Sequence, residues 1–411
     1  MKYLLSMSLK SLRNRSSTTL LTVLTIAMAV AMLLGVEKVR VQTKQSFANT
    51  ISNTDLIVGA RSGQINLLLY SVFRLGSPTA NITWDSYKKI IADPKVAWSI
   101  PISLGDSHRG FRVLGTTQDY FKHYQFGSKQ HLSFAKGEGL ATQFSAVVGS
   151  QVAKKLNYQV GDSIVIAHGI SDQSFNRHKD SPFIISGILD ATGTAVDRTV
   201  HVTLNAIDAI HSGYGLNPNQ PLGEDHEPEQ ITAFLLGLQS KMQVFALQRA
   251  INTNKTEALS AILPGIALHE LWSIMSIAEQ ALLAVSICVV VAGLLGVLSS
   301  LLTSLQGRRR EIAILRAMGA RPKHILSLLL SEACLISALG IVAGVISLYA
   351  LMWAIAPYVR SEYGISLSLA LLTSTEMLML LAVQTGALVV GLIPAVNAYL
   401  QSLSDGMAVK T

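Results

Sequence analysis

The sequence predicts a membrane α-helical protein with four transmembrane helices in each protomer and a large extracytoplasmic α/β domain inserted between the first and second spans. Three observations predict it. Of the 411 residues 50% are hydrophobic and only 14% are charged, a balance too apolar for a water-soluble chain of this length. The charges are gathered into particular stretches, and four long apolar runs between them reach the ~20 residues that a bilayer crossing requires. Between the first two runs lies a long insertion with the polarity, glycine content and alternating short apolar stretches of a soluble α/β fold.

Residues 1–17 place Leu5, Leu9 and Leu12 on one helical face with Lys10 and Arg13 off it, as in a cytoplasmic helix lying in the membrane interface; a plain basic flank that sets topology is the alternative. Residues 18–36 form the first span. Its basic prelude and small residues Ala27, Ala29 and Ala31 allow a competing reading as a cleaved signal peptide, although the apolar run is long for one.

The insertion, residues 37–277, contains predicted strands at 163–167, 183–186 and 199–204, rich in Val and Ile and bounded by Gly, Asp and Pro. A helix at 151–156 ends at the turn Gln159-Val160-Gly161-Asp162, and a second helix covers 241–252. Residues 213–229, with Pro218, Pro221 and Pro228, read as a loop, and an internal boundary falls there or near Ser77-Pro78. Between Asp55 and Pro78 the sequence gathers Leu67, Leu68, Leu69, Tyr70, Val72 and Phe73, either a cargo-facing apolar surface or an ordinary core helix.

The second span is residues 278–307 and the third is 325–356, longer than one crossing needs, so that tilt or an extension past the bilayer is expected. A short external loop, 357–376, leads to the fourth span, 377–400, and a cytoplasmic tail, 401–411. Orientation follows from the basic residues. Lys2, Lys10, Arg13 and Arg15 precede the first span, while Arg308, Arg309, Arg310, Arg316, Arg321 and Lys323 lie in the connection 308–324, so both termini are expected in the cytoplasm and the insertion in the periplasm of a bacterial inner membrane. The same flanks account for the net charge of +8 through anionic lipid, and no basic helix interleaved with aromatics speaks for nucleic acid.

The connection 308–324 carries the sharpest feature. Ile312, Leu315 and Met318 recur at helical spacing among cationic residues, Gly319 supplies a stop, and Pro322 opens the next element. A short cationic helix with an apolar stripe, held at the membrane face, is a handle for another protein or an anchor in lipid headgroups. Its pattern Arg-Glu-Ile-x-x-Leu-Arg-x-x-Gly-Ala, here Arg310, Glu311, Ile312, Leu315, Arg316, Gly319 and Ala320, resembles the loop after the second span in FtsX/MacB-like permeases of ABC transporters. Val148-Gly149-Ser150, Val160-Gly161-Asp162, Gly187-Ile188-Leu189 and residues 194–197 look like the extracytoplasmic domain of that family, and the order of one span, outer domain and three spans matches as well.

The resemblance implies a non-catalytic transport subunit coupled through this loop, including Met318, to a cytoplasmic ABC ATPase dimer, with a second permease protomer as homodimer or close paralogue, membrane lipid around it and room for a periplasmic partner protein. No cofactor is expected in the chain itself; ATP and Mg belong to the partner ATPase. The sequence departs from the fused MacB arrangement, since it contains no Gly-x-x-x-x-Gly-Lys-Ser/Thr phosphate loop, and the ATPase is expected in a separate subunit. Export or extraction of an amphipathic, lipidated or peptide-like cargo is the implied task, with an FtsX-type signalling scaffold that moves no cargo as the alternative.

Glu332 in the third span and Gln384 in the fourth are polar groups where burial in lipid costs several kcal/mol, so each is expected to face protein, for assembly or for transport. Glu279 and Glu376 read as interfacial. Asp225, His226 and Glu227 are weak metal-ligand candidates, because adjacent residues rarely converge on one ion. His108, His123, His131 and His269 are scattered, no nucleophile and base stand at a telling spacing, and Cys288 and Cys334 imply no disulfide framework.

Overall fold

The computed structural model describes residues 15–168, 182–212, 226–307, 314, 322–363 and 369–404. The chain falls into two compact units, the first made of Met1–Gln42, Ser276–Pro357 and Leu367–Thr411 and the second of Thr43–Met275 with Tyr358–Ser366, so that long helices of the first unit carry their ends into the second.

The first unit is a bundle of four helices long and apolar enough to cross a membrane. They run over Ser16–Thr50, Pro264–Gly307, Pro322–Tyr363 and Ser374–Ser404. Each helix runs beyond the span read from hydropathy. The bilayer sets where apolarity ends, whereas helical hydrogen bonding continues until a residue stops it, and 37–50 contains neither Gly nor Pro. At 1.5 Å per residue the first two helices measure about 52 and 66 Å against a hydrocarbon core of about 30 Å. Threonines inside the first span are satisfied internally: Thr22 and Thr25 Oγ1 donate to the carbonyls of Thr18 and Leu21 at 2.9 and 2.8 Å.

The first and third helices meet through small residues. Gly340 and Gly344 lie four apart, and a Cβ at either would stand 2.6 to 2.8 Å from Ile26, Ala27 or Val30. This is the close approach that small residues permit between helices in lipid. Ile26, Val30 and Leu34 are buried against Val297, Leu301, Ile336 and Leu348, which packs residues 18–36 into the bundle.

The second unit is an α/β domain built on one mixed sheet. In chain order its main strands are β1 (Leu56–Ala60), β2 (Val96–His108), β3 (Phe111–Thr116), β4 (Phe134–Gly137), β5 (Ser145–Val148), β6 (Phe183–Leu189), β7 (Thr199–Thr203), β8 (Ala233–Leu238) and β9 (Leu259–Ile262). Across the sheet they run β9-β1-β8-β2-β3-β7-β5-β6-β4, with Ser163–Ile164 and Ala167–His168 added at the side. The 13-residue β2 joins two halves: its first part pairs with β8 and its second with β3, and the register slips between Leu104 and Ser107. Such a bulge bends a strand, and separate apolar clusters form on the two halves.

The strand at 163–167 is two short pieces, Ser163–Ile164 and Ala167–His168, and the helix at 241–252 begins with a 3₁₀ turn, Lys241–Gln243, before Val244–Asn252. Contacts join the domain into a single unit, with no division at Ser77-Pro78. Of the loop 213–229, residues 213–225 lie outside the described residues. The helix Gln64–Val72 settles the segment 55–78. Leu67, Leu68, Tyr70 and Val72 are 0 to 3% exposed in the main core with Ile100, Leu114 and Val147, so this is core helix and not a cargo-facing surface.

Candidate functional site

All eight residues of the predicted coupling loop, Arg310, Glu311, Ile312, Leu315, Arg316, Met318, Gly319 and Ala320, lie outside the described residues, as does Asp225. The described candidates are the polar groups of the bundle and the glycine-linked turns of the α/β domain.

Gln384 is half-buried against the third helix. Its Oε1 accepts from Ser337 Oγ at 3.1 Å and its Nε2 donates to Cys334 Sγ at 3.4 Å, so the fourth helix holds the third through a side-chain amide. Glu332, nearly three turns into the third helix, is 2% exposed beside Ala333. Both residues face protein, as the cost of burying them in lipid requires.

Sequence reasoning missed a buried ion pair among the described residues of the bundle. Lys38 Nζ lies 3.3 Å from Glu376 Oε1, and the two side chains are 4% and 3% exposed. Lys38 also donates to the carbonyl of Ala370 at 3.2 Å and lies over the Tyr349 ring, 5.2 Å from its centroid. Tyr349 Oη donates to the same carbonyl at 2.7 Å. Glu376 does a second task with its other oxygen: Oε2 accepts from the backbone N–H of Thr373 at 2.8 Å, while Thr373 Oγ1 accepts from the N–H of Glu376 at 3.3 Å. This reciprocal capping box starts the fourth helix at Ser374 and fixes the carboxylate beside Lys38. The interfacial reading of Glu376 is therefore corrected: the residue is buried because it both caps a helix and neutralises a lysine. Its signal was Thr373-x-x-Glu376 directly before an apolar run; the basic Lys38, just past the first span, gave no such cue.

The metal candidates diverge. His226 Nε2 is 2.6 Å from Asp208 Oδ2, whereas Glu227 Oε2 accepts from Lys88 at 2.5 Å. Among the described residues no group of three or more His, Cys, Asp or Glu is placed to hold an ion.

In the α/β domain the quoted glycine motifs come together. A Cβ on Gly149 would stand 2.3 Å from the carbonyl oxygen of Val196, and one on Gly187 would stand 2.1 Å from that of Glu138, so neither position admits a side chain. Asp197, 2% exposed, accepts from the N–H groups of Thr192 and Gly193 at 2.7 and 2.8 Å and from Thr192 Oγ1 at 2.8 Å, which locks the turn that presses on Gly149. The motifs are thus packing devices of the sheet.

His201 is among the most buried titratable groups described in the domain. It is fully buried between Tyr120 and Phe121, and its Nδ1 is 3.2 Å from the carbonyl of Val147, which fixes the Nδ1–H tautomer and leaves Nε2 without a partner. Burial, with the nearby Arg74 cation adding to it, pushes its pKa down to about 3.

The MacB-like periplasmic core domain matches residues 19–253, more than half of the chain, and the FtsX-like permease C-terminal domain matches residues 283–403. The macrolide export ATP-binding/permease protein MacB of Bradyrhizobium diazoefficiens is 38% identical over 96 residues, 22% of this chain and only 15% of that protein's length. The crystal structure of the extracellular domain of the noncanonic ABC-type transporter YknZ from Gram-positive bacteria aligns with 51% of this chain and 100% of its own, at 13% identity and a TM-score of 0.32. With the two domain matches covering the first span, the α/β domain and the three later helices, the chain belongs to the MacB/FtsX-like family of ABC transporter permeases.

Proposed function

We propose that this chain is the permease subunit of an ABC transporter in a bacterial inner membrane, and that a separate cytoplasmic ATPase dimer, carrying ATP and Mg, drives motion of its periplasmic α/β domain. The observation that carries the reading is the pattern Arg310-Glu311-Ile312-x-x-Leu315-Arg316-x-x-Gly319-Ala320 between the second and third long helices of a chain whose α/β domain lies between the first and second. On this reading Ile312, Leu315 and Met318 enter an apolar groove of the ATPase, and Glu311 and Arg316 pair with its charges. The loop and both termini lie in the cytoplasm, in keeping with the basic residues that flank the first span and fill the loop. Two permease protomers work together, and the task is efflux or extraction of an amphipathic, lipidated or peptide-like cargo.

The test is the double variant Leu315→Ala/Arg316→Glu in the full chain. Truncating an apolar anchor typically costs about 2 kcal/mol, roughly thirtyfold in affinity, and the reversed charge adds to it. The variant is expected to reach the membrane with its α/β domain folded and to lose the co-purifying ATPase. Normal attachment and normal hydrolysis in that variant would make the loop a lipid anchor. Hydrolysis by the wild-type complex that no amphipathic or lipidated additive stimulates would favour a signalling scaffold instead.

A further inference from the structure

We propose that the buried pair Lys38–Glu376 is a register clamp through which the third and fourth helices move the first helix, and with it the start of the α/β domain. The inference rests on the permease reading above and adds to it the place in the membrane unit where the force passes.

Four observations point there. The pair is buried, with both side chains at 4% exposure or less, and replacing such a pair by uncharged residues is often neutral or even stabilising. Stability alone therefore gives no reason for two charges at this position, whereas a charged pair does define one register, since sliding either helix leaves a bare charge in an apolar bundle. The contact gathers three helices and a loop on one ammonium group: Lys38 of the first, Tyr349 of the third, Glu376 of the fourth and the Ala370 carbonyl before it. Glu376 is held independently of Lys38, because its other oxygen is fixed in the capping box with Thr373, so its carboxylate is a stationary target. Lastly, Lys38 occurs in the middle of a helix that continues without interruption to Thr50, and the domain's own contacts begin at Thr43. The neighbouring Glu37 is engaged by Arg40 at 2.8 Å on the same helix, which leaves Glu376 as the carboxylate that Lys38 meets across helices.

The test compares the wild-type chain with Lys38→Met/Glu376→Gln and Lys38→Arg, each full length in lipid nanodiscs with the co-purified ATPase. The double variant removes both charges and keeps an acceptor for the Thr373 N–H; the arginine keeps the pair. Hydrogen exchange over residues 43–275 is followed with and without Mg-ATP. The expected result is that the double variant keeps its ATPase and its hydrolysis rate, while the nucleotide-dependent change in exchange falls about tenfold, within the ordinary range of coupling free energies. Lys38→Arg is expected to retain the change. A wild-type response in the double variant would overturn the clamp and leave the permease reading intact; a wild-type complex with no nucleotide response in the domain would overturn that reading itself. A measurement on the wild-type chain alone covers the case in which the double variant fails to fold. If the domain responds to Mg-ATP while the amides around Lys38 and Glu376 lose their protection, the pair opens during the cycle and the clamp is overturned.

Discussion

Gly344 of the third helix lies directly against the backbone of Ala27 in the first: a Cβ on the glycine would stand 2.7 Å from the alanine carbonyl oxygen and 2.8 Å from the Cβ of Val30. Both obstacles are rigid, one being main chain and the other the branch point of a β-branched residue, so the helices themselves must part to admit a side chain.

Gly344→Leu is accordingly expected to weaken the bundle by at least the 1–3 kcal/mol typical of overpacking. Gly340→Ala, whose Cβ would meet Ile26 Cβ at 2.6 Å, should act in the same direction more mildly. Thermal aggregation of the detergent-purified chain reads this directly, and a wild-type melting temperature in Gly344→Leu would show that the two helices are not in contact as described.

A second expectation concerns acid. The folded chain holds His201 neutral, with a pKa pushed down to about 3 against 6.5 for the free side chain, so between these values the unfolded chain binds the extra proton. The stabilisation is fully present above pH 6.5 and is lost as the pH falls through 6 and 5 toward 3, with a slope approaching 1.4 kcal/mol per pH unit. Carboxylates add their own acid sensitivity, so the comparison is with His201→Leu. Urea unfolding of the full chain, followed by tryptophan fluorescence, should show the difference in stability between the two proteins moving in favour of the variant as the pH is lowered from 7 to 4. A constant difference over that range would mean that His201 is not buried.

The edge of the sheet offers a third. Strand β9 ends the sheet, and its free side at Ala261 is closed by a side chain: Asn252 Oδ1 accepts from the Ala261 N–H at 2.6 Å, and Asn252 Nδ2 and Gln248 Nε2 donate to its carbonyl at 3.3 and 3.0 Å. The helix Val244–Asn252 thus covers an edge that would otherwise invite another strand. Asn252→Ala leaves the Ala261 N–H without its partner at a cost of about 1–3 kcal/mol. Asn252→Asp keeps the acceptor and should recover part of the loss, which thermal melting of the two variants will rank.

Legibility in the sequence followed the physics of each feature. The four apolar runs and the α/β insertion were legible because hydropathy and the alternation of Val and Ile are local signals, and the strands at 183–186 and 199–204 appear at Phe183–Leu189 and Thr199–Thr203. The helix ends were not, since nothing in residues 37–50 opposes continued helix once the first span has started. The Gly340–Gly344 pair was present in plain view, yet its meaning depends on which helix comes against it. The same holds for Lys38 and Glu376, 338 residues apart in sequence, where only the three-dimensional pairing distinguishes a buried ion pair from two interfacial charges.

Assembly and transport make different demands on Gln384. Its amide bridges Ser337 Oγ and Cys334 Sγ on the third helix, so both of its polar ends are engaged within one protomer. Side-chain hydrogen bonds between membrane helices average about 0.6 kcal/mol in double-mutant cycles, because the separated helices also find partners. Gln384→Leu is therefore expected to cost no more than about 1 kcal/mol, and Ser337→Ala less, since the serine Oγ can equally donate to the Ala333 carbonyl at 2.8 Å. A cycle over Gln384→Leu, Ser337→Ala and the double variant, measured by thermal unfolding, should return a coupling of about half a kcal/mol with ATP hydrolysis by the proposed permease–ATPase complex unchanged. If Gln384→Leu leaves stability untouched and abolishes hydrolysis or cargo movement, the amide serves a transport step and its contacts with the third helix are incidental.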